Sequence, residues 1–271
     1  MRKTLIATAA ALLPLLAQAH MTWLLPNSTL VTNRDGVVTI DAAVSEDLFS
    51  FDRALKLEQL RITGPAGLVL QPEGQSSARH RESFDVKLPK DGTYRISNFS
   101  RALMGAYKLG GETKRFRSTP ETLDKDLPAG AELTSLTETA TRQQTFVSRE
   151  QPGEVAFTPE GTGLELLPLT PVTDLSNGDE SRFKLLLDGK PQANANVTVR
   201  RAGNRYRYKS GEFTVQTNAE GEFTIGWAEA GQYWVGANAG ERGAPGGPGG
   251  GTRDKPIKRA AVSATFEVLP K

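Results

Sequence analysis

Beyond residue 36 the apolar residues of this chain come in short runs that alternate with polar ones and stop at Gly, Pro, Asn or Asp. A period of two places successive side chains on opposite faces of an extended backbone, so the pattern specifies strands and leaves little room for amphipathic helices. "GVVTIDAAV" (36–44), "LRITG" (60–64), "ESFDVKL" (82–88) and "TYRISNF" (93–99) read as strands of an N-terminal sandwich. Asp91-Gly92, between the last two, is a turn signal, because glycine reaches the positive φ that a tight hairpin needs.

A second β-rich unit follows in "GLELLPL" (163–169), "SRFKLLLDGKPQANANVTVRR" (181–201), "EFTVQTNAEGEFTIGW" (212–227), "GQYWVGANA" (231–239) and "AAVSATFEVLP" (260–270). Asp188-Gly189 and Glu220-Gly221 each separate two strand-like runs, which predicts two hairpins. That spacing of strands suits an immunoglobulin-like or transthyretin-like sandwich. Residues 113–160 differ, carrying Pro120, Pro128, Pro152 and Pro159 among many charges. A short helix is expected at "STPETLDKDL", with Ser118 or Thr119 capping and Pro120 in the first turn, and "LTSLTETATRQQTFV" alternates like an extended crossing strand. The expected organisation is all-β with two β-sandwich domains: a signal peptide at 1–19, an N-terminal β-sandwich at 20–112, a connecting segment at 113–160 and a C-terminal Ig-like β-sandwich at 161–271. "GERGAPGGPGGGTRDKP" (240–256) has too little apolar surface to pack and reads as a flexible hairpin loop.

The first nineteen residues have a basic start at Arg2 and Lys3, an apolar stretch from Leu5 to Ala17, and small residues at Ala17 and Ala19 around Gln18. This is the pattern of a cleaved export signal, too short and wrongly flanked for a membrane anchor. Cleavage after Ala19 would make His20 the first residue of a chain of 271 minus 19, or 252, residues. Removing Arg2 and Lys3 takes Lys and Arg from 33 to 31, against 31 Asp and Glu, so the mature formal charge is zero. Nothing in that balance favours nucleic acid. With no cysteine there is neither a disulfide framework nor a lipid-anchor cysteine.

Candidates for catalysis are few: no G-x-S-x-G, HExxH, Walker or dinucleotide fingerprint occurs, and His20 and His80 are the two histidines. A metal reading has more to work with, because an N-terminal histidine offers an amine and an imidazole from one residue. Such nitrogen donors suit copper, nickel and zinc. His80 is the one possible second histidine, and in a strand its neighbours Arg79 and Arg81 would point away from it. Asp47 in "SEDLFSFDR", which also holds Asp52, is the candidate carboxylate. Trp23, Trp227 and Trp234 lie in apolar strand contexts that favour packing over carbohydrate stacking. The cluster "RRAGNRYRYK" (200–209) reads as a solvated strand and turn, with an anionic ligand or surface as the weaker option.

The stretches "AHMTWLLP", "DAAVSEDLFSFD", "GTYRISN" and above all "GLELLPLTPVTDLSNGDESRFKLLLDGKP", from Gly163 to Pro191, resemble the DUF4198 family of exported bacterial proteins. The resemblance runs over essentially the whole mature chain. It implies a periplasmic protein associated with nickel- and cobalt-type metal uptake, alongside a metal-uptake transporter or an outer-membrane TonB-dependent receptor. It also implies histidines in relatives where this chain has Arg53 and near Pro171. The leading expectation is a soluble, non-enzymatic periplasmic accessory or binding protein for transition-metal uptake (nickel, cobalt, copper or iron), with His20, His80 and Asp47 as metal ligands. The alternatives are an envelope interaction module without metal and a histidine-brace copper monooxygenase, which would need both histidines on one copper.

Overall fold

A computed structural model describes residues 20–153, 156–206, 208, 211–240 and 250–271. The signal peptide expected at residues 1–19 and most of the glycine-rich insert lie outside the described residues. The strands of the first half are β1 (Met21–Pro26), β2 (Leu30–Val31), β3 (Val37–Ser45), β4 (Arg53–Ala54), β5 (Gln59–Thr63), β6 (Val69–Leu70), β7 (Glu73–Ser77), β8 (Glu82–Lys87), β9 (Gly92–Leu109) and β10 (Glu112–Ser118). One helical turn, α1 (Leu123–Asp126), precedes β11 (Glu132–Arg149). The second half adds β12 (Leu164–Pro168), β13 (Leu175–Ser176), β14 (Glu180–Leu187), β15 (Lys190–Pro191), β16 (Asn196–Arg201), β17 (Glu212–Gln216), β18 (Glu222–Gly226), β19 (Gly231–Gly240) and β20 (Ile257–Leu269). No helix among the described residues is long and apolar enough to cross a membrane.

These strands form three sheets. The largest has eleven strands, in the order β17-β16-β19-β20-β11-β9-β5-β6 with β10, β13 and β2 attached at its sides. A five-stranded sheet, β1-β3-β8-β7 with β4 on β3, and a four-stranded one built on β14 complete the fold. Phe146 and Val147, successive residues of β11, show how the layers stack. Side chains alternate across a strand, and Phe146 belongs to the core shared with the four-stranded sheet, around Phe183, Trp227 and Phe266. Val147 belongs to the core shared with the five-stranded sheet, around Leu24, Ile40 and Phe84. The protein is therefore all-β and sandwich-like, with one long sheet serving as a wall of both sandwiches.

The segment 113–160 contributes β11 to the middle of that wall. Along its length β11 runs antiparallel to β9, and from Thr137 to Thr145 it also runs parallel to β20, from Ile257 to Thr265. The α1 turn begins after Thr122, whose side chain makes no capping bond, although the Thr119 carbonyl accepts from the Thr122 and Leu123 amides.

Two of the expected hairpins turn out to be crossings between sheets. Asp188 and Gly189, both at positive φ (49° and 75°), do close a hairpin between β14 and β15. Gly92, at φ 117°, instead hands the chain from β8 in the five-stranded sheet to β9 in the large one. Gly221 likewise links β17 in the large sheet to β18 in the small one. A positive φ permits the reversal at each place, but burial of the two flanking strands decides which sheet each joins.

Candidate functional site

The loop 46–52 between β3 and β4 holds Asp47 and is the place where His20 and His80 arrive. Met21 pairs with Ser45 at the end of β3, so the start of β1 lies beside the start of this loop. Trp23 is fully buried beneath it and donates its indole N–H to the Ser45 hydroxyl at 3.1 Å. The rings of Phe49 and Phe51 meet Trp23 edge-on, at centroid distances of 5.5 and 5.1 Å. Aromatic edges favour that approach to a ring face. Phe49 sits at φ 62°, a conformation costly for a bulky side chain, and its packing on Trp23 is what holds it there. Asp52 then ties the two ends of the loop together, its carboxylate accepting from the Glu46 amide at 2.8 Å.

Each histidine docks at one of those ends. His20 places its Nδ1 3.7 Å from the Glu46 carboxylate, with both side chains largely exposed. His80, at the tip of the β7–β8 hairpin, places its Nδ1 2.8 Å from the Asp52 carbonyl oxygen. A carbonyl only accepts, so Nδ1 is the protonated nitrogen and the lone pair of neutral His80 resides on Nε2. Histidines that bind metals are commonly oriented in this way, one nitrogen donating to a carbonyl while the other stays available. Arg81 turns aside, although residues 78–81 form the hairpin turn and not the strand assumed from sequence; it pairs with Asp41 at 3.3 Å and lies over the Phe51 ring.

Asp47 is committed elsewhere. Its Oδ2 accepts from the guanidinium of Arg205 at 3.1 Å, an ion pair that links this loop to the turn between β16 and β17. Glu46, not Asp47, is the carboxylate nearest His20. Met21 is buried, and its sulfur accepts from Arg200 at 3.2 Å, so the thioether is directed away from the histidines. Arg53 is exposed at the start of β4 opposite Val44, and Pro171 is exposed in the second half between β12 and β13.

The three candidate ligands thus gather on one loop without closing around a common point. Among the described residues no three His, Asp or Glu groups are arranged to hold a metal ion. As a closed resident metal centre the edge does not fit, and no reaction step is derived through one. What the edge offers is an open set of donors at the surface: the His20 imidazole, Glu46 and the free nitrogen of His80.

The tryptophans play the packing roles expected of them. Trp227 is fully buried, and Trp234 donates to the Thr22 carbonyl at 3.1 Å, which fastens β1 to the large sheet. Tyr206 and Tyr208 of the basic cluster are exposed. Its described arginines are paired, Arg200 with Glu212, Arg201 with Glu229 and Arg205 with Asp47.

The model of the family described as "Domain of unknown function (DUF4198)" matches residues 17–241. No curated protein matches the chain. Among solved structures, the D0-D1 domain of Intimin is 14% identical at a TM-score of 0.22, over 92% of this chain and 100% of that one. CfaE, the adhesive subunit of the CFA/I fimbria of enterotoxigenic Escherichia coli, is 9% identical at a TM-score of 0.12, over 92% of this chain and 87% of that one. At scores so low, the sandwich architecture rests on the chain's own sheets.

Proposed function

The chain belongs to the DUF4198 family, and from that premise we propose that it is an exported, non-catalytic accessory protein for transition-metal uptake. The metal is cargo, passed to a transporter or receptor of the envelope. The observation that carries this reading is the arrival of both histidines, 60 positions apart in sequence, at the two ends of one loop. Removal of residues 1–19 would place a free amine on His20, beside its imidazole and Glu46. An exposed, incompletely closed set of donors suits an ion that must be released again.

The reading is tested with protein whose start at His20 is verified by intact mass, titrated calorimetrically with Ni(II) and with Cu(II). A version with one extra residue before His20 should bind sharply more weakly, because its amine is lost as a ligand. His80→Ala should lose more than the roughly 10- to 100-fold that changes around a metal's outer shell cost. Equal affinity for the two N-termini would remove the amine from the site. No binding by either would leave an envelope interaction module as the function of the same fold.

A further inference from the structure

A second place in the molecule, sharing no residue with the histidine edge, has unmet hydrogen-bonding capacity along a whole strand. β17 ends the large sheet on one side, and among the described residues β16 is its one ladder partner. The Arg201 amide donates to the Gly211 carbonyl, and the Thr217 amide to the Ala195 carbonyl. Both bonds fall on odd-numbered residues of the antiparallel register that sets Val197 opposite Val215 and Val199 opposite Phe213. Hydrogen-bonded and open pairs alternate in such a ladder, so Phe213 and Val215 turn their backbone groups toward β16. Those of Glu212, Thr214 and Gln216 point outward, on residues that are all exposed.

An open edge of this kind is a template for another strand, and proteins ordinarily blunt it with short strands, charges, prolines or bulges. Elsewhere this fold does so. β6 is two residues long and follows the Pro65–Gly67 turn, β10 carries Lys114, Arg115 and Arg117, and the register of β7 breaks between Glu73 and Ser76. β17 has none of these devices: its register on β16 is unbroken, it contains neither proline nor lysine, and Phe213 is 41% exposed.

The strand itself indicates its occupant. When it is laid antiparallel to a second copy about a two-fold axis at Thr214, every outward residue meets another outward residue. Thr214 meets Thr214 and Glu212 meets Gln216, so no like charges are opposed. Phe213 then faces Val215 in an open pair, where Cα atoms approach to about 4.5 Å and side chains come closest. An aromatic opposite a β-branched residue is a favourable cross-strand pair, and the symmetry makes it on both sides of the axis. A slip of one residue would set outward groups against inward ones and lose the ladder.

We propose that a second copy of this chain adds its β17 to this edge, so that two large sheets join into one across a two-fold axis at Thr214. The interface uses none of the donors at the histidine edge, so it stands whether or not that edge binds metal.

The test uses the chain beginning at His20, followed by sedimentation velocity from micromolar to near-millimolar protein. Its mass should rise with concentration from that of one chain to that of two. Thr214→Pro removes an outward N–H and no bond to β16, a position that proline tolerates, so the fold should survive while dimerisation weakens at least about 10-fold. Thr214→Cys reads the register. Cα atoms at a hydrogen-bonded pair lie about 5.5 Å apart, within the reach of a disulfide. In a chain with no other cysteine, mild oxidation should therefore link two copies of this variant. Thr113→Cys, on the exposed edge strand β10, should link only at the rate of chance collision. A wild-type chain that stays monomeric throughout would overturn the proposal. So would a dimer that Thr214→Pro leaves unchanged, or one in which Thr214→Cys links no faster than Thr113→Cys. Should Thr214→Pro not fold, the two cysteine variants decide the matter.

Discussion

Replacing Arg142 by alanine is expected to destabilise the protein by about 3–5 kcal/mol, the range for a buried ion pair broken from one side. Arg142 is 1% exposed and lies over the Phe99 ring at 4.8 Å. Three of its four partners, Glu160, Thr162 and Leu164, lie in the segment 160–164, which carries the chain from the central wall into the four-stranded sheet; the fourth is Ser97 on β9. The mutant leaves Glu160 with Arg95 alone and strands two carbonyl oxygens. Urea unfolding monitored by fluorescence should show a lower midpoint with an unchanged slope. Pairing Arg142→Met with Glu160→Gln should recover part of the loss, because removing both charges is cheaper than isolating one. A loss below about 1 kcal/mol for the alanine variant would mean that water reaches the pair.

Trp227→Ala is expected to be comparably severe, about 3–5 kcal/mol, as for other large aromatics removed from a close-packed core. Trp227 is fully buried, donates to the Ser181 hydroxyl at 2.8 Å, and packs edge-on against Tyr233 at 5.0 Å and beside Phe266 at 5.6 Å. Trp227→Phe should cost less, since it keeps most of the volume and loses chiefly the bond to Ser181. Thermal unfolding of both variants checks this order, and an alanine variant as stable as the phenylalanine one would show that the core collapses into the space. Neither change should touch the metal binding proposed for His20, which lies in the other sandwich.

Much of this fold was legible in the alternation of residues, because strands buried on one face announce themselves by a period of two. β3, β5, β8 and β14 lie within a residue or two of the segments read from sequence. The central strands were harder. β9 runs on to Leu109, well beyond the expected Phe99, and its neighbour β11 hides Arg142, Gln143 and Gln144. Asn98 donates to Gln143, Gln143 to Thr22, and Gln144 accepts from the Leu166 amide, so polar residues of opposite layers satisfy one another. A sequence gives no sign of burial when the partners that make it affordable lie in other sheets. The turns show the same division between local and distant information: glycine marked the reversals at Gly92 and Gly221, but not the sheets they join.

At the histidine edge, residue types pointed to His20 and His80 without indicating that one loop would bring them together. Asp47 was chosen by type as well, and its pairing with Arg205, 158 positions away, had no local signature. Glu46, one residue earlier in the same quoted stretch, lies beside His20 because of the β1–β3 register. That register follows from burying Trp23 and Leu24, which fixes geometry around residues that have no part in the core.

The position of β11 bears on when the molecule can become itself. A chain released from its N-terminal end completes β9 and β11 early, yet the other long edge of β11 finds its partner only when residues 257–265 emerge. Parallel pairing across so great a separation is slow to form, because loop closure must precede the contacts that reward it. Until then β11 presents an unpaired ladder of the kind that recruits foreign strands. The interval between making β11 and making β20 is therefore the period in which this protein most needs a chaperone, and truncation before β20 should yield aggregates rather than a free-standing N-terminal sandwich.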